Sequence, residues 1–215
     1  MKRFYPARKP LAVVLDDHQL FADSFTCLIE KTGLFEHIHS FTEEGALTDF
    51  LLKMKGQPGL FLFADYYLRN TTALRVIQDL QRIYRPIYVV IVSCVTNPIL
   101  INDILTYRID GFLSKSSRSD EIVSCIQAIQ SGREYISPVI GQMLSAYNQG
   151  ETNPFSAREV EILIHFANGL TVNATAEKMI LSRHTIVSHR RRMMDKTRTK
   201  TITELLAYAR KIDLI

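Results

Sequence analysis

Five polar residues stand at the ends of short apolar runs. Asp16 and Asp17 follow LAVVL, Asp65 follows LFLFA, Ser93 follows IYVVIV and Lys115 follows GFLS. If these runs are parallel strands, their carboxyl ends lie side by side and the polar residues share one rim. Three carboxylates that close cannot all ionise comfortably without a cation. A hard, oxygen-preferring ion such as Mg²⁺ resolves this, with water and phosphate oxygens filling its other positions. The set suits a carboxylate that accepts a phosphoryl group. The metal and Lys115 neutralise charge on the equatorial oxygens, and the Ser93 hydroxyl bonds one of them. Singly, an aspartate after a strand is more often a helix cap, such a lysine is more often solvated and such a serine is usually a turn residue. Their joint occurrence carries the reading.

A second constellation lies near the other end of the chain. Arg183–Lys200 holds seven basic side chains and one acid, Asp195. The spacing predicts a helix with Ser182 as its N-cap, running to about Thr197. Ile186, His189 and Met193 share one stripe, on which His189 reads as core packing. Val187, Ser188 and Arg191 share another stripe, flanked by Arg183, Arg190, Arg192 and Lys196. A small-residue stripe bordered by arginines fits the major groove, the stripe reaching base edges and the flanks neutralising phosphates. Arg191 is the best candidate for base contact, since a guanidinium bonds guanine at two points, and Val187 suits a thymine methyl. Thr185 and Lys200 complete the candidate DNA-contacting set, which otherwise reads as a solvated face or internal ion pairs.

The elements that must position these residues are legible in the hydrophobic pattern. Leu11–Leu15, a weaker Ile38–Phe41, Leu60–Ala64, Ile87–Val92 and Gly111–Ser114 read as strands covered on both faces. Helical spacing fills the gaps: Phe21, Phe25 and Leu28; Leu47, Phe50, Leu51 and Met54; Leu74, Ile77 and Leu80; Ile101, Ile104 and Leu105; Ile122, Ile126 and Ile129. Five strand–helix units predict a doubly wound, five-stranded parallel sheet. After Gly132 the rhythm changes: residues 138–148 predict one short helix, and Gly150–Asn153 reads as a linker. From Pro154 onward only helices are expected. The first opens with a Ser156/Glu159 capping box, buries Val160, Leu163, Ile164 and Ala167, and stops at Gly169. A short helix over Val172–Ile180 precedes the basic one, giving a helix-turn-helix. A Thr201/Glu204 capping box opens the last helix, where Leu206, Ala207 and Ala209 offer a small-residue face for pairing two such domains. The expected boundaries are 1–136, a connecting stretch 137–153, and 154–215.

Composition agrees. The chain has 215 residues, 47% hydrophobic and 22% charged, enough for a proper core and unlike a disordered or fibrous chain. Residues 154–215 carry 11 Lys+Arg against 6 Asp+Glu, while residues 1–153 are nearly neutral, so only the C-terminal part is expected to meet a polyanion. No apolar run approaches the roughly 18–20 residues of a membrane span. MKRFYPARKP is basic but is followed by too short an apolar run for a signal peptide. Cys27, Cys94 and Cys125 are widely spaced and odd in number, which predicts a soluble protein in a reducing cytoplasm.

VVLDDHQLFADSF, FLFAD, IVSC and DGFLSKSSRSDEIVSCIQAIQSGREYISP resemble, in order and spacing, the receiver domain of bacterial two-component response regulators. That resemblance implies Asp65 as phosphoryl acceptor, with a sensor histidine kinase as donor. It implies Asp16, Asp17, Asp65 and the Tyr67 backbone carbonyl as Mg²⁺ ligands, Ser93 as switch hydroxyl, Lys115 as phosphate partner and Phe112 as aromatic switch residue. The family's Met-Pro-Gly loop is replaced here by Leu68, Arg69, Asn70, Thr71, Thr72 and Ala73, and Tyr66 and Tyr67 are unusually bulky. FSAREVEIL, ANGLTVNATAEKMILSRHTIVSHRRRMMDK and TITELLAYARKIDLI resemble the LuxR/NarL-type DNA-binding domain, with Ser182, Thr185, Ile186 and His189 matching its core pattern. Thr175 and Thr197 stand where that pattern has isoleucine and leucine; their hydroxyls are expected to bond the carbonyl four residues earlier. Together the resemblances imply a NarL/FixJ-type transcriptional regulator, not an enzyme, that binds double-stranded DNA as a homodimer.

Two rivals differ in class. A DNA-binding regulator controlled by a partner protein, with no phosphoswitch, is motivated by the altered loop after Asp65. A phosphatase of the haloacid-dehalogenase type needs an acid two residues beyond its nucleophile; His18 and Gln19 stand there instead.

Overall fold

The computed structural model of the chain describes residues 9–54, 59–69, 71–84, 87–148, 154–212 and 214–215. The basic start and the linker expected over Gly150–Asn153 lie outside the described residues, apart from Lys9 and Pro10. By packing, one compact unit takes in the chain up to Cys94 together with Tyr107–Gln142. The other takes in Val95–Thr106 and Met143–Ile215.

In chain order the first part contains β1 (Leu11–Leu15), α1 (Gln19–Glu30), β2 (Ile38–Phe41), α2 (Glu44–Lys53), β3 (Leu60–Ala64), β4 (Tyr67–Leu68), β5 (Thr71–Thr72) and α3 (Ala73–Ile83). It continues with β6 (Ile87–Ser93), α4 (Pro98–Thr106), β7 (Gly111–Ser114), α5 (Ser119–Gln130), β8 (Tyr135–Ile136) and α6 (Pro138–Asn148). The sheet is parallel, in the order β2-β1-β3-β6-β7-β8. Every residue of β1, β3 and β6 is buried, as continuous apolar runs require when helices cover both faces. On one face Phe25, Ile29, Ile122, Ile126 and Ile129 of α1 and α5 close over Val14, Phe61, Phe63 and Val90. Phe25 meets Phe63, and Phe35 meets Phe61, edge to face at 5.4 and 5.3 Å. Gly111 permits the close approach of α5 to β7: a Cβ there would lie 2.9 Å from Cys125 Sγ.

The sheet has six strands, not five. The extra strand, β8, is two residues long and pairs Tyr135 with Gly111 and Ile136 with Phe112. Two residues cannot display a hydrophobic period, so the pattern is silent there. The unusual loop after Asp65 is likewise ordered as an antiparallel ribbon, Tyr67 opposite Thr72 and Leu68 opposite Thr71.

The C-terminal stretch is α7 (Ala157–Ala167), α8 (Val172–Lys178), α9 (Arg183–Thr197) and α10 (Ile202–Lys211). Helix α7 touches each of the other three. It buries more than the expected stripe: Glu159, Glu161, Ile162, His165 and Phe166 are enclosed as well as Val160 and Leu163, whereas Ile164 and Ala167 are only half-buried. A central helix has partners on several sides, which a one-face reading misses. The Ser156/Glu159 capping box is complete. Gly169 (φ +80°) ends α7, with the Leu170 N–H donating to the His165 carbonyl at 3.0 Å. The Thr201/Glu204 box is only half formed. Thr201 accepts from the Glu204 N–H, but the Glu204 carboxylate takes the Lys200 N–H at 2.7 Å. Thr197 Oγ1 donates to the Met193 carbonyl at 2.9 Å, as expected. Thr175 does not follow suit: it is fully buried and its hydroxyl has no hydrogen-bond partner.

Candidate functional site

Strand register builds the first site. Leu15 pairs with Ala64 and Ala64 with Ile91, so the residues that follow emerge level at one sheet edge. The Asp65 N–H donates to the Leu15 carbonyl and the Lys115 N–H to the Ser93 carbonyl, at 2.9 and 3.0 Å. The side chains converge. Lys115 Nζ lies 2.6 Å from Asp16 Oδ2 and 2.8 Å from Asp65 Oδ2. Asp16, Asp65 and Ser93 are all buried, and the Ser93 hydroxyl hydrogen-bonds the Asp65 carboxyl.

These contacts set the electrostatics. Burial raises the Asp65 pKa above its ordinary value; the Lys115 hydrogen bond and charge oppose the rise and Asp16 adds to it. For Lys115, burial alone would lower the pKa, but its hydrogen bonds to Asp16 and Asp65 outweigh that, and the ammonium titrates above its ordinary range. The Phe21 ring lies under the same ammonium, 4.3 Å from Nζ.

Asp16, Asp17, His18 and Asp65 each offer a ligand atom, all within 4.8 Å of one another. Asp16 Oδ2 is taken by the Lys115 ammonium, while the buried Asp17 Oδ1 accepts no hydrogen bond and lies 3.1 Å from His18 Nδ1. A close group of carboxylates with an unbonded buried oxygen fits a divalent cation. Tyr67 begins the ribbon two residues beyond Asp65, and Phe112 is fully buried in β7 opposite Ile91. Residue type and spacing alone do not mark His18 and Phe21 as part of the rim. Phe21 stood in an apolar helical series, and only its spacing of four from Asp17 hinted at the rim.

The second site is the surface of α9. Ile186 and Met193 are fully buried and His189 half-buried, its Nδ1 enclosed without a partner and its pKa lowered by burial. Arg183, Ser188, Arg191 and Arg192 are exposed, and Val187 and Arg190 half-buried. Thr185 is tied into the helix start: its N–H donates to the Ser182 hydroxyl at 3.1 Å, and the two hydroxyls are 2.8 Å apart. Lys196 is engaged elsewhere than expected. Its Nζ bonds Glu159 Oε2 at 2.6 Å, fastening α9 to α7. Burial alone would raise Glu159, but Lys196 and the Ser156 capping bonds hold its carboxyl below the ordinary range. Lys200 is exposed. On α10, Leu206 is half-buried and Ala207 exposed, but Ala209 is wholly buried. An inward-facing Ala209 has no surface to give to a pairing face.

No helix among the described residues is long and apolar enough to cross a membrane. Residues 153–209 match the sequence model of the bacterial regulatory proteins, luxR family. The transcriptional regulatory protein UhpA of Salmonella typhimurium is 24% identical over 192 residues, 89% of this chain and 93% of its own. The DNA-binding transcriptional activator EvgA of Escherichia coli K12 is 23% identical over 204 residues, 93% of this chain and 97% of its own. A structure of the Salmonella typhimurium RcsB response regulator superposes with a TM-score of 0.73 at 21% identity, over 95% of this chain and 98% of that one. Residues 153–209 thus form a luxR-type domain that follows a receiver-like parallel sheet, and over most of its length the chain is similar to the transcriptional regulators UhpA and EvgA.

Proposed function

We propose that the chain is a DNA-binding transcriptional regulator, switched by Mg²⁺-dependent phosphorylation of Asp65 from a sensor histidine kinase. The observation that carries the switch is the Lys115 ammonium between Asp16 and Asp65, with the Ser93 hydroxyl on the same carboxyl. An Asp65 oxygen attacks the phosphorus of the donor's phosphohistidine; the new P–O bond replaces the P–N bond and the imidazole leaves. Lys115 is positioned to follow the charge from carboxylate to phosphoryl oxygens, and Ser93 to exchange its bond to the carboxyl for one to the phosphoryl group. Asp16, Asp17, Asp65 and the Tyr67 carbonyl are the residues that would hold the cation, which when bound neutralises phosphoryl charge. Phe112 follows Ser93, and the altered surface changes the population of the DNA-binding form.

Residues 1–136 act as receiver and 154–215 as DNA reader, joined by 137–153. Arg191, Ser188 and Val187 face base edges; Arg183, Arg190, Arg192 and Lys200 face phosphates, with Thr185 at the helix start. Lys196 fastens α9 to α7 instead of meeting a phosphate. Two copies pair on DNA through Leu206 and Ala207, as suits a relative of RcsB, for which two dimers on two parallel DNAs are described. The expected compartment is the cytoplasm.

Acetyl phosphate with Mg²⁺, followed by a phosphate-affinity gel, tests the acceptor. Wild type should give a shifted band that Asp65→Asn lacks; no shifted band with any donor favours the partner-controlled alternative. Arg191→Ala should weaken specific DNA binding by about 1–3 kcal/mol and relax sequence preference at one position. If affinity and preference stay unchanged, α9 is not read as assigned.

A further inference from the structure

His18 lies in the carboxylate cluster but has no part in the scheme above. Its backbone N–H donates to Asp16 Oδ1 at 2.9 Å, and this tight turn swings the ring back over the site. Nδ1 then lies 3.2 Å from Asp16 Oδ1 and 3.1 Å from Asp17 Oδ1. The ring is 70% exposed, so core packing does not impose this orientation. The nitrogen turned toward the carboxylates is the one able to join them around an ion.

We propose that His18 Nδ1 is a nitrogen ligand of the divalent-cation centre, which therefore favours Mn²⁺ over Mg²⁺ by more than the three carboxylates alone would. This rests on the metal centre of the proposed function and deepens it. Three carboxylates alone form a hard oxygen site that suits Mg²⁺. An imidazole adds little for Mg²⁺, which holds its waters, whereas Mn²⁺, the first of the divalent series that binds nitrogen with rising affinity, accepts it more readily. Without an ion, Nδ1–H donates to Asp16 Oδ1. With an ion, the hydrogen moves to Nε2 and the Nδ1 lone pair takes the metal in the same direction. His18 thus sets metal choice at the phosphorylation site while taking no part in phosphoryl transfer.

The test uses the full chain, His18→Ala and His18→Gln, with Asp17→Asn as a control for the carboxylate centre. Pulsed electron paramagnetic resonance of the Mn²⁺-loaded protein reads nitrogen coupling directly, and competition titrations give the affinities for Mn²⁺ and Mg²⁺. Wild type should show imidazole nitrogen coupling that both His18 variants lose. Their Mn²⁺ affinity should fall at least as far as the about tenfold typical of losing an outer-shell partner, with Mg²⁺ affinity little changed. Absence of nitrogen coupling in wild type, or an equal loss of both ions in the variants, overturns the assignment and leaves His18 a hydrogen-bond donor that orients Asp16 and Asp17. If wild type binds neither ion, the metal centre itself fails, and the proposed function with it; if only Asp17→Asn loses both ions, the centre stands without His18.

Discussion

At the scale of single residues, the C-terminal helices enclose ionisable groups whose protonation bears on stability. His165 is buried in α7, and its pKa is lowered to about 4 by burial, then by the charges of Lys178 and Arg158. The unfolded chain binds the proton near the ordinary 6.5 and the folded one only near 4, so stability is lost as pH falls through that window. The loss approaches about 3 kcal/mol at its lower end. Urea unfolding followed by circular dichroism should show it, and His165→Leu should flatten the slope. Glu159 is the second such group. Removing its partner in Lys196→Met leaves a buried carboxylate with only its capping bonds and should cost about 1–2 kcal/mol, tempered because Lys196 is 40% exposed. The double variant with Glu159→Gln should recover part of that loss. A change in the salt dependence of DNA binding, with stability intact, would return Lys196 to the phosphate-contacting set.

At the scale of elements, periodicity located what was long and one-sided and passed over what was short or central. The five apolar runs became strands, and Ser182 caps α9 as its sequence implies, because each is fixed by local chemistry. The β8 edge and the β4–β5 ribbon have two residues per strand and no period to read. The full burial of α7 and of Ala209 depends on which neighbours arrive from elsewhere in the chain, as does the capture of Lys196 by Glu159. The turn between α8 and α9 holds a further local feature. Ile180 ends α8 with φ +51°, a region that β-branched residues avoid, and its side chain is 48% exposed. Replacing it with glycine relieves about 1 kcal/mol of backbone strain and forfeits little burial. Ile180→Gly should therefore raise the thermal midpoint of the helical part; a lowered midpoint would mean that the side chain packs more firmly than its exposure implies.

At the scale of the whole molecule, two chemistries share one chain: an acid-lined rim that holds one lysine, and a helix surface crowded with arginine. The carboxylates and Lys115 were legible because strand ends in a parallel sheet must fall together, while His18 and Phe21 enter the rim only through the turn and first helix that follow Asp17. In the proposed function, the phosphorylation state of Asp65 sets affinity for DNA. The most direct measurement is the Kd for a duplex selected from a random pool, taken with and without acetyl phosphate, for wild type and Asp65→Asn. Wild type should tighten by about 5- to 150-fold on phosphorylation while Asp65→Asn stays unmoved. Wild type that carries phosphate on Asp65 yet binds with unchanged affinity, or an Asp65→Asn protein that tightens equally, would contradict the account.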